Sequence, residues 1–118
     1  MQDEAPQLSY ERLDVYRLAI EFVALMAPLL EILPRGNAAL ADQLKRASLS
    51  VPLNVAEAAG KVSVPDRSRS YAMARGSAME CGAILDVCRA LGILDEGSTR
   101  QGKVLLVRIV AMLTRMCR

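Results

Sequence analysis

The sequence predicts an all-α chain folded as an antiparallel up-and-down four-helix bundle, and three observations carry that prediction. Apolar residues make up 53% of the 118 but aromatics only 3%, so the core must be built from Leu, Val, Ile, Met and Ala rather than from strand-favouring side chains. Apolar positions recur every three or four residues in four long runs. Short clusters of Pro, Gly, Asn and Asp separate those runs, and short connections make antiparallel neighbours the default. The length suits one domain, residues 11–118, behind a polar tail of residues 1–10 that has no periodicity.

The first helix is expected over residues 11 to 33. Two apolar series lie side by side there, 13, 16, 20, 23, 27, 30 and 15, 18, 22, 25, 29, 32, leaving Asp14, Arg17, Glu21, Pro28 and Glu31 on the remaining face. The stretch PRGN, 34–37, is a turn signal. The second helix runs from Ala38 to Ala59 on apolar positions 40, 44, 47, 51, 55 and 58, with Gly60 suited to its C-cap. Pro65 opens the third helix in its first turn, where the missing N–H costs nothing, and Gly92 stops it. Its seam is Ala74, Ser77, Cys81, Ile84, Cys88 and Leu91, and the small Ala72, Gly76, Ala78, Gly82 and Ala83 permit close helix approach. The fourth helix follows DEGS, with Ser98 as the expected N-cap, and fills the chain to near Arg118.

Helix four reads VLLVRIVAML, apolar around most of its circumference, and helix one is similarly wide. A bundle buries about one stripe per helix, so the surplus predicts homo-oligomerisation.

Composition narrows the chemistry. With no histidine, the commonest general base and zinc ligand are missing, and so are the His-dependent nucleophile systems. Cys81, Cys88 and Cys117 form no C-x-x-C pair and read as core thiols of a reducing compartment, so no metal and no cofactor is expected. The acidic start MQDEAPQ is unlike a signal peptide, and the run FVALMAPLL is too short to cross a bilayer. A cytoplasmic protein without a membrane role is the expectation.

Charge is unevenly spread. Residues 1–34 hold six acidic and two basic side chains, whereas residues 35–75 hold three acidic and seven basic. Lys61, Arg67, Arg69 and Arg75 cluster around the second loop. On helix four Arg100, Lys103, Arg108, Arg115 and Arg118 fall within about 140° at 100° per residue. Such basic faces suit phosphate backbones. Only Phe22 and three tyrosines are present, so no aromatics interleave with the cations for base stacking.

The stretch SLSVPLNVAEAAG, 48–60, interrupts a helical run with Ser50, Pro52, Asn54 and Glu57. With Arg46 they form a polar stripe, and Ser77 and Glu80 of the third helix lie opposite in an antiparallel pair. A kinked helix with a polar seam is the expectation. Arg46 would sit near Glu80 and Glu57 near Arg75, while Ser or Asn side chains would help satisfy the carbonyl near residue 48 that Pro52 frees.

The string LKRASLSVPLNVAEAAGK, followed by RSYAMARGSAMECGAILDVCRALGIL, resembles the 23S rRNA intervening-sequence proteins, a family of four-helix bundles. The matching positions are Arg46, Ala47, Ser50, Pro52, Asn54, Ala56 and Glu57, then Ala74, Gly76, Ser77 and Glu80. The opening LDVYRLAIEFV is similar to the family's first helix, so the likeness covers nearly the whole chain. Two positions depart from the pattern: Val51 stands for the usual isoleucine, and Ala58-Ala59-Gly60 replaces an immediate Glu-Gly. The resemblance implies a bundle that assembles as a homo-oligomeric ring, a pentamer in the wider group. It also implies genes lying within large-subunit rRNA insertions, or relatives that accompany diversity-generating retroelements and bind nucleic acid and a reverse transcriptase.

Three readings of function result. The first is a non-enzymatic oligomer binding RNA or DNA without strong sequence specificity, through Lys61, Arg67, Arg69, Arg75, Arg100, Lys103, Arg108 and Arg115. The second is a scaffold for a protein partner, using the apolar surplus of helices one and four. The third, an enzyme built on Glu57, Glu80, Arg46 and Arg75, is disfavoured, because those carboxylates serve structural pairing equally well.

Overall fold

The computed structural model describes residues 5–33 and 35–118. Among them lie four α-helices and no strand: α1, Asp14–Ile32; α2, Ala38–Ala59; α3, Val64–Ala90; and α4, Glu96–Met116. Each helix packs on two others in the cyclic order α1–α2–α3–α4, and α2 with α3 is the most extensive pairing. Between α3 and α4, rising numbers meet falling ones: Arg75 bonds Thr114, Gly82 lies beside Leu106, and Asp86 pairs with Lys103.

The helices begin and end where local chemistry dictates. Leu33 ends α1 with extended backbone, as the proline that follows it in the sequence requires. Pro34 itself lies outside the described residues, as do the first four residues of the expected tail. Residues Ser9–Arg12 form a 3-10 turn that packs on α1 and α2, so the last two tail positions belong to it. Gly60 is the C-cap of α2, in right-handed rather than left-handed backbone, its N–H bonding the carbonyls of Ala56 and Glu57. Ser63 caps α3 by accepting the Asp66 N–H at 3.2 Å, with Val64 and Pro65 following. At the other end Gly92 takes φ +73°, and the N–H groups of Gly92 and Ile93 return to Arg89 and Cys88. That double bond closes the last turn and needs a residue without a Cβ penalty.

Two expectations about helix ends and faces change. Asp95, not Ser98, caps α4, because its carboxylate reaches the Ser98 N–H at 2.7 Å. Leu91, expected in the α3 seam, is the C-cap and is exposed. In α1 the buried stripe is Val15, Leu18, Ala19, Phe22, Met26 and Leu29, which follows the second apolar series. The first series is only half-covered and Ile20 stays exposed, while in the second Leu25 is partly buried and the last member, Ile32, is exposed.

The core is almost wholly aliphatic, with Phe22, Met26, Leu44, Leu85, Ile109 and Leu113 among its fully buried side chains. Gly102 marks its tightest point. A Cβ there would stand 3.0 Å from Leu85 Cδ1, 3.2 Å from Met26 Cε and 3.4 Å from Phe22 Cε1. Glycine thus lets α4 settle against side chains of α1 and α3 together. Pro28 is exposed and Pro52 buried, so only the first sits on the outer face of its helix.

Candidate nucleic-acid interface

The eight candidate cations separate into engaged and free groups. Lys61 pairs with Glu57 one turn back, at 3.4 Å. Arg67 turns inward and donates from Nη1 to the carbonyls of Lys61 and Val62, at 3.3 and 3.0 Å, bracing the α2–α3 loop. Arg69 pairs with Asp66 at 3.4 Å. Arg75 donates from Nε to Thr114 Oγ1 at 2.8 Å, and Thr114 passes its own proton to the Val110 carbonyl. Lys103 meets Asp86 at 2.6 Å, joining α4 to α3. Arg67, Arg75 and Lys103 therefore fasten helices and loops together, whereas Lys61 and Arg69 pair within a turn of their own position, at partly exposed sites where each ion pair contributes modestly.

Arg100, Arg108 and Arg115 behave differently. All three are exposed and have neither an ion pair nor a hydrogen bond among the described residues. Arg108 and Arg115 lie along the side of α4 next to α1, and Arg100 stands between that side and a hollow it shares with Asp86, Arg89 and Glu96. Arg100 and Arg108 line a groove of about 720 Å³ with Leu25, Val104 and the acidic Glu21, and Arg115 lines the next hollow with Leu13 and Asp14. The structure thus brings three candidates onto one ridge, and the Ser68–Arg118 contact sets the loop candidates at its Arg115 end, with Lys61, Arg67 and Arg69 already engaged.

The polar seam is real but shorter than the sequence suggested. Asn54 Nδ2 donates to the carbonyl and the hydroxyl of Ser50, both at 2.8 Å, and Ser50 Oγ meets Ser77 Oγ across the helix pair at 2.8 Å. Ser50 Oγ accepts the amide proton and either hydroxyl can donate in the bond to Ser77, so all three groups are served. Arg46 and the two glutamates stand outside the seam. Arg46 pairs with Asp42 at 3.0 Å, and the expected Arg46–Glu80 and Glu57–Arg75 contacts do not form. The pairs at i+3 and i+4 win because they need no second helix to be placed. Nor do side chains reach the carbonyl of residue 48: Ser48 Oγ bonds the Lys45 carbonyl, and Asn54 bonds that of Ser50.

Sequence reasoning missed Thr114 as the partner of Arg75, which no local spacing reveals across 39 positions. The Asp42–Arg46 pair was legible at i,i+4. Cys81 and Cys88 are buried, and burial above all pushes the Cys81 thiol up to about 12. A thiol so held is a packing group, since the thiolate is the reactive form.

A family model described as 23S rRNA-intervening sequence protein matches residues 11–115. The chain belongs to that family. Within the matched residues, Ser50 and Asn54 of the Ser-x-Pro-x-Asn segment build the α2–α3 seam with Ser77. A solved structure of a protein of unknown function, from the S23 ribosomal protein family of Bacteroides thetaiotaomicron, is similar in fold. Its TM-score is 0.83 at 18% sequence identity, over 88% of this chain and 98% of that one. No curated protein matches the chain. Among the described residues no helix is long and apolar enough to cross a membrane.

Proposed function

We propose that the chain is a non-enzymatic, antiparallel up-and-down bundle that forms a cytoplasmic homo-oligomeric ring and binds nucleic acid without strong sequence specificity. The observation that carries the binding half is the ridge of Arg100, Arg108 and Arg115: three exposed cations on one side of α4, none committed to a partner among the described residues. Free cations in a row gain from neutralising phosphates what paired ones have already gained from carboxylates. The family's association by name with 23S rRNA supports RNA as the first ligand to try. For assembly, the support is the α3–α4 groove of about 490 Å³, lined by Ala78, Met79, Ala83, Val107 and Ala111, where Met79 and Val107 are more than half exposed. A pentamer is what the family resemblance implies. The same groove favours a second reading, a scaffold for a protein partner.

The test is anisotropy of a labelled RNA at about 50 and about 200 mM salt, with light scattering for mass. Binding should fall steeply with salt, and Arg108→Glu with Arg115→Glu should weaken it while leaving the mass unchanged. RNA binding that ignores both reversals would remove the ridge from the account. A defined oligomer that takes up no RNA would favour the scaffold, and a monomer would overturn the assembly.

A further inference from the structure

We infer that one end of the molecule, formed by the start of α1, the α2–α3 loop and the end of α4, is a site for unpaired nucleic-acid bases, with Tyr10 and Tyr16 as the stacking groups. The inference rests on the nucleic-acid reading above and narrows its ligand to single strands.

The sequence offers too few aromatics to interleave with cations, but the fold does not need them interleaved. Phe22 and Tyr71 are buried in the core, whereas Tyr10 and Tyr16 are only half-buried. Their rings meet edge to face, with centroids 4.7 Å apart and planes at 64°. Tyr10 belongs to the 3-10 turn that packs on α1 and α2, and Tyr16 to the first turn of α1. The pair holds each ring in place, so stacking a base costs little side-chain entropy.

Tertiary contacts bring the cations to the same end. Leu13 and Asp14 line a hollow with Met112 and Arg115, which sets the start of α1 beside the end of α4. Ser68 Oγ donates to the Arg118 carbonyl at 3.3 Å, which ties that same end of α4 to the start of α3. Residues as far apart as 10 and 118 thus share one end.

Among the described residues cations outnumber carboxylates at this end, and each carboxylate has a partner: Glu11, which keeps its charge beside Tyr16, accepts the Leu8 N–H, Asp14 holds Arg17, Glu57 holds Lys61, and Asp66 holds Arg69. Arg12, Arg115 and Arg118 are exposed, with no ion pair among the described residues. Arg115 also ends the α4 ridge, so a strand following the ridge reaches the end of the molecule that carries the tyrosines. Stacking tolerates any base because every base has a π face, whereas bases in a duplex are already stacked on one another.

The chain has no tryptophan and Tyr71 is buried out of a strand's reach, so quenching of tyrosine emission by stacking reports on this pair. The experiment titrates the unaltered protein with oligothymidylate, then with the same strand annealed to its complement. Quenching by the single strand, persisting in Tyr71→Phe, and weaker binding of the duplex are expected. Replacing both residues, Tyr10→Leu with Tyr16→Leu, should weaken single-strand binding about tenfold or more, while the two Tyr→Phe changes retain it. Binding without quenching, or a duplex bound as tightly as the strand, would overturn the stacking site and leave the arginine ridge standing. Failure to bind either nucleic acid at about 50 mM salt would overturn both.

Discussion

The α1–α3–α4 junction at Gly102 and the α2–α3 junction at Ser50 and Ser77 hold helices together by opposite means. At the first, α4 gives up a side chain so that Leu85, Met26 and Phe22 can close over its backbone, and the contact is purely one of volume. At the second, hydroxyls and an amide meet at 2.8 Å across a half-buried line, and the contact is one of direction. A volume lock is indifferent to rotation but intolerant of added atoms. A directional lock tolerates some slack in volume but fixes the helices' register, because a hydroxyl displaced by one turn finds no partner.

The volume lock is the more sensitive of the two to substitution. Gly102→Val should destabilise the fold by about 1–3 kcal/mol in urea denaturation, through overpacking against Leu85 and Met26. An unchanged midpoint would show that those two side chains can swing aside. At the directional lock Ser77→Ala should cost about 1 kcal/mol, since the Ser50 hydroxyl loses its cross-helix partner but keeps Asn54. If the two changes proved equally costly, the distinction between the junctions would lose its force.

A third position belongs to neither lock. Gly76 is exposed in the middle of α3, and a Cβ there meets nothing within 4 Å. Gly76→Ala should therefore raise stability by up to about 1 kcal/mol through helix propensity. A loss that depends on protein concentration would instead mean that a second copy packs closely against this face. The smallest effect concerns α4's start. The Ser98 backbone N–H, and then its side chain, hold the exposed Asp95 carboxyl below its ordinary 3.8. A value lowered in the folded state means the cap's contribution is complete above 3.8 and is lost as pH falls through the lowered value. Unfolding curves recorded down through that range should steepen in their loss of stability relative to Asp95→Asn, whose side chain does not titrate.

The helices were legible because their signals are local. The α2 limits, the Ser-x-Pro-x-Asn segment and the Gly92 stop all follow from spacing and from residues with fixed backbone preferences. Ser98 was misread as a cap because Asp95 carries the same signal three residues earlier, and only geometry chooses between them. The seam was half legible. Its small polar members, Ser50, Asn54 and Ser77, lie together as their spacing suggested, but Arg46 turned to Asp42 on its own helix and Glu57 to Lys61 just past its helix's end.

By itself the sequence determined four amphipathic helices, an aliphatic core and family membership, since periodicity and motif are properties of the chain read in order. The tertiary structure alone decided which cations are free. Arg75 is occupied by Thr114 and Lys103 by Asp86, whereas Arg108 and Arg115 face outward. It alone also set Tyr10 against Tyr16 at the end of the molecule that carries Arg115 and Arg118. The physical reason is range. Helix formation is fixed by neighbours within four residues, whereas the pairing of a charge or the placing of a ring depends on what packing brings from the far end of the chain.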